Sequence, residues 1–373
     1  MGHQPIRIMI SGGGTGGHVF PALAIAKALQ QKEPKAELLF VGARGRLEMQ
    51  VVPAAGYRIV GLPIAGLQRK FDMQNFLLPF KLLASCWKAL ALMRQFRPHV
   101  VIGVGGYASF PVLLMAVLLG IPTLIHEQNS YAGLANRLLG RWVRKVCVAY
   151  EGMERFFPRH KIVLTGNPVR QELLQLPSTA QAREVFGFRA DVPVVLVVGG
   201  SLGAASINQS IAEGIDRLLE AGFQILWQTG KIYYEQFRLY EKKAPQRLRI
   251  LPFVNDMAAA YAAADLVVSR AGALALAELS VTAKAAVLVP SPHVAEDHQR
   301  RNAEELARHG AAVLIADAEA PQLLVDNILK LMRDEPTRHR LSQNISTLAR
   351  PHAHQALATE ILELVNKKSA FIS

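Results

Sequence analysis

The sequence predicts an α/β protein of two doubly wound domains, each a parallel sheet with helices on both faces. Three observations predict it. Short runs rich in Val, Ile and Leu alternate with helical patterns along the 373 residues, as βαβ units require. Three of those runs lead directly into glycine-rich turns: 6–10 into SGGGTGGH at 11–18, 100–104 into GGYAS at 105–109, and 194–198 into GGSLGA at 199–204. The alternation then begins a second series beyond Gly166-Asn167-Pro168, where the two halves join.

In the first half, strands are expected at 7–10, 38–41, 57–60, 100–104, 123–125, 145–148 and 162–165. The second series falls at 194–198, 224–227, 249–251, 266–268, 286–289 and 312–315. The domains are therefore 1–165 and 166–344, with a helical tail at about 345–373 packing back on the first. Each glycine turn lets the backbone bend tightly and expose N–H groups, and the following helix (19–29 after the first turn) adds its positive end. One such turn is weak evidence; three after β-branched runs indicate a protein that handles phosphates.

Composition bounds the rest. A chain that is 51% hydrophobic and 19% charged is globular and long enough for two cores. Two cysteines, Cys86 and Cys147, make neither a disulfide framework nor a cysteine metal site, and a reducing cytoplasm is expected. No cationic segment followed by a long apolar one opens the chain, so no signal peptide is read. The net charge of +13 lies wholly in residues 1–165, which hold 20 Lys and Arg against 7 Asp and Glu; residues 166–373 hold 22 of each. Such asymmetry suits a first half that meets nucleic acid, a phosphorylated ligand or a bilayer, or it is a solubility bias.

The stretch 76–93 (FLLPFKLLASCWKALALM) is the most apolar helical segment. Lys81, Lys88 and Pro79 interrupt it, so it is no membrane span. Most apolar helices are buried. This one is bordered by Arg69, Lys70, Lys81, Lys88, Arg94 and Arg97, a pattern that suits docking on anionic lipid. The shorter run 112–119, bounded by Pro111 and Gly120, reads as core.

GGGTGGH at 12–18 invites a comparison with dinucleotide binding, which places an acid at the end of the second strand to hold the ribose. Here Val41-Gly42-Ala43-Arg44 has none, and no GxxxxGK[ST] run exists for a P-loop. His18 stands where a ligand diphosphate would lie, as a base or donor, or else it packs the helix start. His126-Glu127-Gln128-Asn129 follows a strand, on the edge where open sheets bind ligands. A metal there is the minority reading, because neighbours on a strand point apart and no HExxH or DxD pattern exists. Ser201 is a phosphate contact or a plain N-cap. RAGALALAE at 270–278 lets a ligand approach the backbone, and Glu278 can accept ribose hydroxyls unless it is merely solvated. His298, Gln299 and Asn302 open a helix expected to face the same crevice.

Seven motifs, GGGTGGH (12–18), GVGGYASFP (103–111), HEQN (126–129), TGNPVR (165–170), GGSLGA (199–204), RAGALALAE (270–278) and HVAEDHQRRNA (293–303), occur in order, within a match that runs from about Ile6 to the mid-340s. Together they resemble the MurG family, bacterial N-acetylglucosaminyltransferases of glycosyltransferase family 28 that complete the lipid-linked peptidoglycan precursor. The resemblance implies a GT-B fold with the ligand cleft between domains, and inverting transfer from UDP-N-acetylglucosamine to the C4 hydroxyl of N-acetylmuramic acid in lipid I, giving lipid II. It implies donor contacts at Asn129, Arg170, Ser201, Val254, Ala273, Leu274, Ala275, Leu276, Ala277, Glu278 and Gln299. Thr15, Gly16 and Gly17 are assigned to the donor as well as to the lipid I diphosphate, which Gly13, Gly14, Gly105, Gly106 and Tyr107 would cradle. His18 is the first choice of base, grouped with Glu278 as catalytic, and no metal or other cofactor is expected. The enzyme would lie on the cytoplasmic face of the inner membrane as a peripheral protein, docked through the basic apolar patch at 69–97, among other cell-wall synthesis and division proteins. Ala271, Ala275 and Ala285 depart from the family, which more often has Ser, Thr and Pro there, and so bear on donor affinity.

Three other readings compete. A GT-B galactosyltransferase acting on diacylglycerol should lack HEQN together with GGTGGH and the GGY loop. A UDP-sugar epimerase needs no membrane patch. A nucleic-acid-binding module expects basic stripes interleaved with aromatics, whereas here the charges accompany a Leu-rich helix.

Overall fold

The computed structural model describes residues 5–64 and 78–370. Its contacts divide the chain into two compact units: the N-terminal part to Val169 joined by the stretch from His352, and Arg170–Pro351. Both boundaries fall slightly later than the sequence suggests. Thr165 and Gly166 still hydrogen-bond Val148, and Asn167 Nδ2 donates to Gln128 O at 2.9 Å, which holds this segment to the first unit.

The first unit runs β1 (Arg7–Ser11), α1 (Gly16–Lys32), β2 (Glu37–Ala43), α2 (Glu48–Ala54), β3 (Arg58–Leu62), α3 (Leu78–Phe96), β4 (Val100–Gly103), α4 (Ser109–Leu118), β5 (Thr123–Glu127), α5 (Leu134–Leu139), β6 (Lys145–Val148) and β7 (Ile162–Leu164). Its strands form one parallel sheet in the order β3-β2-β1-β4-β5-β6-β7. Alternation along β1 separates two cores. Ile8 and Ile10 pack with Ile25 and Leu29 of α1, while Met9 joins Ala89, Met93, Val112 and Leu113 on the other face.

The second unit continues with α6 (Thr179–Val185), β8 (Val194–Val198), α7 (Ala205–Glu220), β9 (Gln224–Gln228), α8 (Tyr234–Phe237), β10 (Leu248–Leu251), α9 (Met257–Ala263), β11 (Leu266–Ser269), α10 (Ala273–Val281), β12 (Ala286–Leu288), α11 (His298–Arg308), β13 (Val313–Leu314), α12 (Ala320–Arg333) and α13 (Glu335–Thr347). Its sheet is parallel, in the order β10-β9-β8-β11-β12-β13. The last helix, α14 (Ala353–Ala370), belongs to the first unit. Leu357, Ala358, Ile361, Leu364 and Val365 make a stripe of helical spacing that packs in the α1 core. Lys145 at the start of β6 pairs with Glu360 and, at 2.8 Å, with Glu363, tying this helix to the sheet.

α10 ends in a Schellman turn: Lys284 N–H donates to Leu279 O and Ala283 N–H to Ser280 O. The turn places Ala283 at φ +51, where glycine is favoured. Ala283→Gly is therefore expected to stabilise the protein by about 1 kcal/mol, raising Tm by roughly 2–4 °C; an unchanged or lower Tm in thermal unfolding would remove this strain from the account.

Candidate active site

In each sheet, connections leave in opposite directions from two neighbouring strands, β1 and β4 in the first and β8 and β11 in the second. Loops beyond the carboxyl ends of such strands diverge and leave a crevice for ligands. The glycine loops predicted from the sequence lie at both places.

In the first unit the Ser11 hydroxyl, at the end of β1, lies 3.0 Å from Val41 O in β2 and 3.2 Å from Ala108 O in the loop after β4. Gly106 is required by close approach: a Cβ there would stand 2.3 Å from Gly13 O, and its φ is +80. Glu48, at the start of α2 and 1% exposed, sends its carboxylate into the glycine loop. It accepts from Gly14 N–H and from Ala43 N–H, both at 2.9 Å. Of the two glycines expected to help cradle a diphosphate, Gly14 therefore uses its N–H within the protein. The Gly14 N–H is given to Glu48, and a Cβ on Gly13 would stand 2.1 Å from the Glu48 carboxylate, so both residues shape the loop around it. The acid missing from the end of β2 thus arrives at Glu48 and turns inward. Donors toward a ligand fall to the first turn of α1, where the Thr15 side chain makes no cap. The Tyr107 ring lies over Gly14, and burial raises its hydroxyl pKa against the opposing pull of Arg46.

HEQN is not a solvent-facing row. β5 extends through Glu127, and His126, Glu127 and Gln128 are all buried. Glu127 accepts four hydrogen bonds, from Asn129 N–H, Asn129 Nδ2, Gly133 N–H and Asn136 Nδ2, at 2.8–3.2 Å. Its carboxylate is a loop clamp, and the Asn129 side chain, expected on the donor, is part of that clamp. Among the described residues no three His, Cys, Asp or Glu gather as a metal site. His18, in the first turn of α1, places Nδ1 3.2 Å from Gln128 Oε1.

In the second unit, α7 begins at Ala205 with Ala204 as N-cap, so Ser201 caps nothing; it is exposed in the turn four residues before the helix. That turn rests on Thr229-Gly230, and Gln228 fixes it by donating from Nε2 to Gly200 O at 2.9 Å. Gln228 Oε1 accepts from Val254 N–H at 2.9 Å, so that N–H is engaged within the protein. Glu278 on α10 is 9% exposed rather than solvated. Its Oε1 accepts from Arg170 Nε at 3.0 Å and Nη2 at 2.9 Å, and Oε2 from the buried Tyr261 hydroxyl at 3.1 Å. Burial raises the Glu278 pKa, with Arg170 and Tyr261 pulling against it. Ala273, Leu274, Ala275, Leu276 and Ala277 form the first two turns of α10, whose N-cap Gly272 has no side chain to cap them. Ala271 is fully buried, so of the two family departures noted beside the donor, only Ala275 is accessible. Gln299, in the first turn of α11, accepts from Ser291 N–H at 2.8 Å; Asn302 is fully buried. Glu296 and Asp297, just before α11, hold φ of +52 and +55, a strained approach of a kind that gathers at ligand sites.

The apolar helix is exposed along one stripe. Phe80, Leu83 and Trp87 are 70%, 59% and 71% accessible. On the neighbouring α4 and α5 region, Leu118, Leu134, Leu138 and Trp142 are also exposed, so the run 112–119 is core only at Val112, Leu113 and Ala116. Arg94 and Arg97 are exposed, but Lys88 turns inward to donate to Gly61 O at 2.8 Å, and burial lowers its pKa. Lys88 is therefore a structural residue. Arg69, Lys70 and Phe76 lie outside the described residues. Among the described residues no helix is long and apolar enough to cross a membrane.

Two doubly wound units, each with a glycine loop and an uncapped helix start at the switch point of its sheet, are those of a GT-B fold. Residues 8–148 match the glycosyltransferase family 28 N-terminal domain and 194–357 its C-terminal domain. The UDP-N-acetylglucosamine–N-acetylmuramyl-(pentapeptide) pyrophosphoryl-undecaprenol N-acetylglucosamine transferase of Cytophaga hutchinsonii is 50% identical over 97% of this chain and 98% of its own. The same-named protein of Porphyromonas gingivalis is 52% identical over 96% of each. The crystal structure of Acinetobacter baumannii MurG is 34% identical, with a TM-score of 0.81 over 96% of this chain and all of that one. The chain belongs to glycosyltransferase family 28.

Proposed function

We infer that the protein transfers N-acetylglucosamine from UDP-N-acetylglucosamine to the C4 hydroxyl of N-acetylmuramic acid in lipid I, with inversion, forming lipid II for peptidoglycan. The observation that carries this is identity of one-half, over nearly the full length, with relatives named for that reaction. The sites agree in chemistry. In the second unit the α7 and α10 helix starts suit a diphosphate, and the buried Glu278 carboxylate suits a ribose hydroxyl. In the first unit the α1 start and the Gly106–Tyr107 loop suit the diphosphate of lipid I.

The acceptor oxygen attacks the anomeric carbon, the sugar–UDP bond breaks with its electron pair going to UDP, and His18 takes the hydroxyl proton. Charge on departing UDP falls on helix-start N–H groups and on Arg170; each such donor is worth about 3–4 kcal/mol of barrier. The test is transfer of labelled sugar from UDP-N-acetylglucosamine to a lipid I analogue in EDTA. Product supports donor, acceptor and metal independence together. Donor binding without transfer would overturn the acceptor assignment, and loss of transfer restored by a divalent ion would overturn metal independence.

The protein docks on the anionic cytoplasmic leaflet through the exposed stripe of α3, the α4–α5 apolar side chains and the nearby cations Lys81, Arg94 and Arg97. Each buried large side chain contributes about 1.5–3 kcal/mol and each cation about 1 kcal/mol. Replacing Phe80, Leu83 and Trp87 together by Ser is expected to abolish sedimentation with anionic vesicles, while transfer to a water-soluble acceptor persists. Undiminished vesicle binding would return this stripe to another role. Lys88 is the wrong residue for such a test, because its ammonium is engaged with Gly61 O, and charge reversal would set a carboxylate against that carbonyl.

A further inference from the structure

The HEQN strand end does more than clamp a loop. Four groups form a continuous chain, buried up to the half-buried His18 at its end: Gly166 O, His126, Gln128 and His18. His126 Nε2 lies 3.1 Å from Gly166 O, His126 Nδ1 lies 3.1 Å from Gln128 Nε2, and Gln128 Oε1 lies 3.2 Å from His18 Nδ1. Gln128 Nε2 also donates to Val104 O at 2.8 Å.

Only one arrangement of protons satisfies every link. Gly166 O is a carbonyl and can only accept, so His126 carries its proton on Nε2. Its Nδ1 is then an acceptor and takes a proton from the Gln128 amide. Val104 O is likewise an acceptor, which places the same Nε2 amide nitrogen against it. Reversing the amide would set Gln128 Oε1 against a carbonyl and a ring lone pair at once. With the amide so fixed, Oε1 faces His18, and His18 Nδ1 must be the donor. Burial pushes the His126 pKa down to about 4, so its ring keeps a single proton at neutral pH.

We propose that Gln128, itself oriented by His126 and Val104 O, is a positioning residue that holds His18 as its Nδ1–H tautomer, leaving the lone pair on Nε2 to receive the proton of the acceptor hydroxyl. The proposal rests on the reading of His18 as the base. It assigns the two ring nitrogens different duties, one as anchor and one as base, by the rule that the bond made by one nitrogen decides the state of the other. When the acceptor oxygen forms its bond to the anomeric carbon, the hydroxyl proton passes to Nε2 and the electron pair of the broken bond leaves with UDP. The imidazolium then returns its proton to solvent.

A separate observation agrees. Gly105 lies against this contact: a Cβ there would stand 2.8 Å from His18 Nδ1 and Cε1, and 3.4 Å from Gln128 Oε1. A side chain at 105 would wedge the imidazole away from the amide. The loop glycine keeps the pair together, whatever N–H it offers to a ligand.

The test begins with the wild-type full chain, labelled with ¹⁵N in histidine, using the His18→Gln spectrum to assign the His18 signals. Above the pKa of the ring, Nδ1 is expected to carry the proton and Nε2 to show the shift of an unprotonated nitrogen. A protonated Nε2 in the wild type overturns the proposal, with no variant needed. Gln128→Met, of similar shape but unable to accept the bond, is expected to move His18 toward the Nε2–H form that free imidazole prefers. The same variant should lower kcat roughly tenfold or more, less than the ~10⁴ lost with a charged orienting carboxylate, with the KM for UDP-N-acetylglucosamine unchanged. An unmoved His18 tautomer in that variant also overturns the proposal. If the tautomer moves and kcat does not, the positioning stands and His18 as base falls, which separates the two failures.

Discussion

His18→Ala is expected to lower kcat for transfer by about 10²–10⁴-fold, the range of a positioned general base, with the affinity for UDP-N-acetylglucosamine unchanged. The separation follows from where the residues sit. His18 belongs to α1 in the first unit, whereas Glu278, Arg170 and the α7 and α10 helix starts belong to the second. His18 lies in the first turn of α1, and its removal takes away no core side chain, so Tm should barely change. Steady-state transfer with both substrates varied, beside calorimetric titration of the donor, measures both quantities. A variant that keeps its kcat removes His18 from the chemistry, and one that loses donor affinity in proportion makes it a binding residue.

The sheets were readable because parallel strands buried on both faces are written as uninterrupted Val, Ile and Leu runs. The run 194–198, for example, is β8 residue for residue. Glycine turns marked the switch points for the same local reason. What stayed hidden are polar residues whose partners are distant in sequence. Glu48 is 34 residues from Gly14, Gln128 is 110 from His18, and Tyr261 sits in an alanine-rich helix with nothing nearby to announce its bond to Glu278. Long-range hydrogen bonds leave no periodicity to read. The N-cap reading of Ser201 fails because a Gly-Ser-Leu-Gly turn delays the helix to Ala205, and Lys88 leaves the cationic rim because its flexible stem reaches inward to Gly61 O. The HEQN residues were placed on the right edge of the right sheet, but the strand runs on through His126 and Glu127. His126, Glu127 and Gln128 are therefore buried, and their hydrogen bonds go to neighbouring loops and to α5.

Glu278 carries the other large effect, and its sign runs opposite for binding and for stability. Its carboxylate already accepts from Arg170 and Tyr261, which leaves one acceptor site for a ribose hydroxyl, and a charged hydrogen bond of this kind is worth about 1.5–3 kcal/mol. Glu278→Ala is therefore expected to raise the dissociation constant for UDP-N-acetylglucosamine roughly ten- to hundredfold. Unchanged affinity would end the ribose assignment. Because burial raises the Glu278 pKa above the ordinary glutamate value, its folded form takes up a proton at a pH where the unfolded chain is still ionised. Stability from this group is then gained as pH falls through the raised pKa and lost as pH rises through it, so at neutral pH the buried charge is a net cost. Donor affinity moves the other way, declining as the carboxylate protonates, and that acid limb should vanish in Glu278→Gln. The amide variant should also melt no lower than the wild type at neutral pH, since Tyr261 keeps an oxygen to donate to while Arg170, 41% exposed at its side chain, regains water. A variant that binds donor weakly yet folds as well or better identifies a carboxylate kept in the core for its ligand, at the expense of the fold that holds it. A large fall in Tm would instead make the Arg170–Glu278 pair a structural clasp.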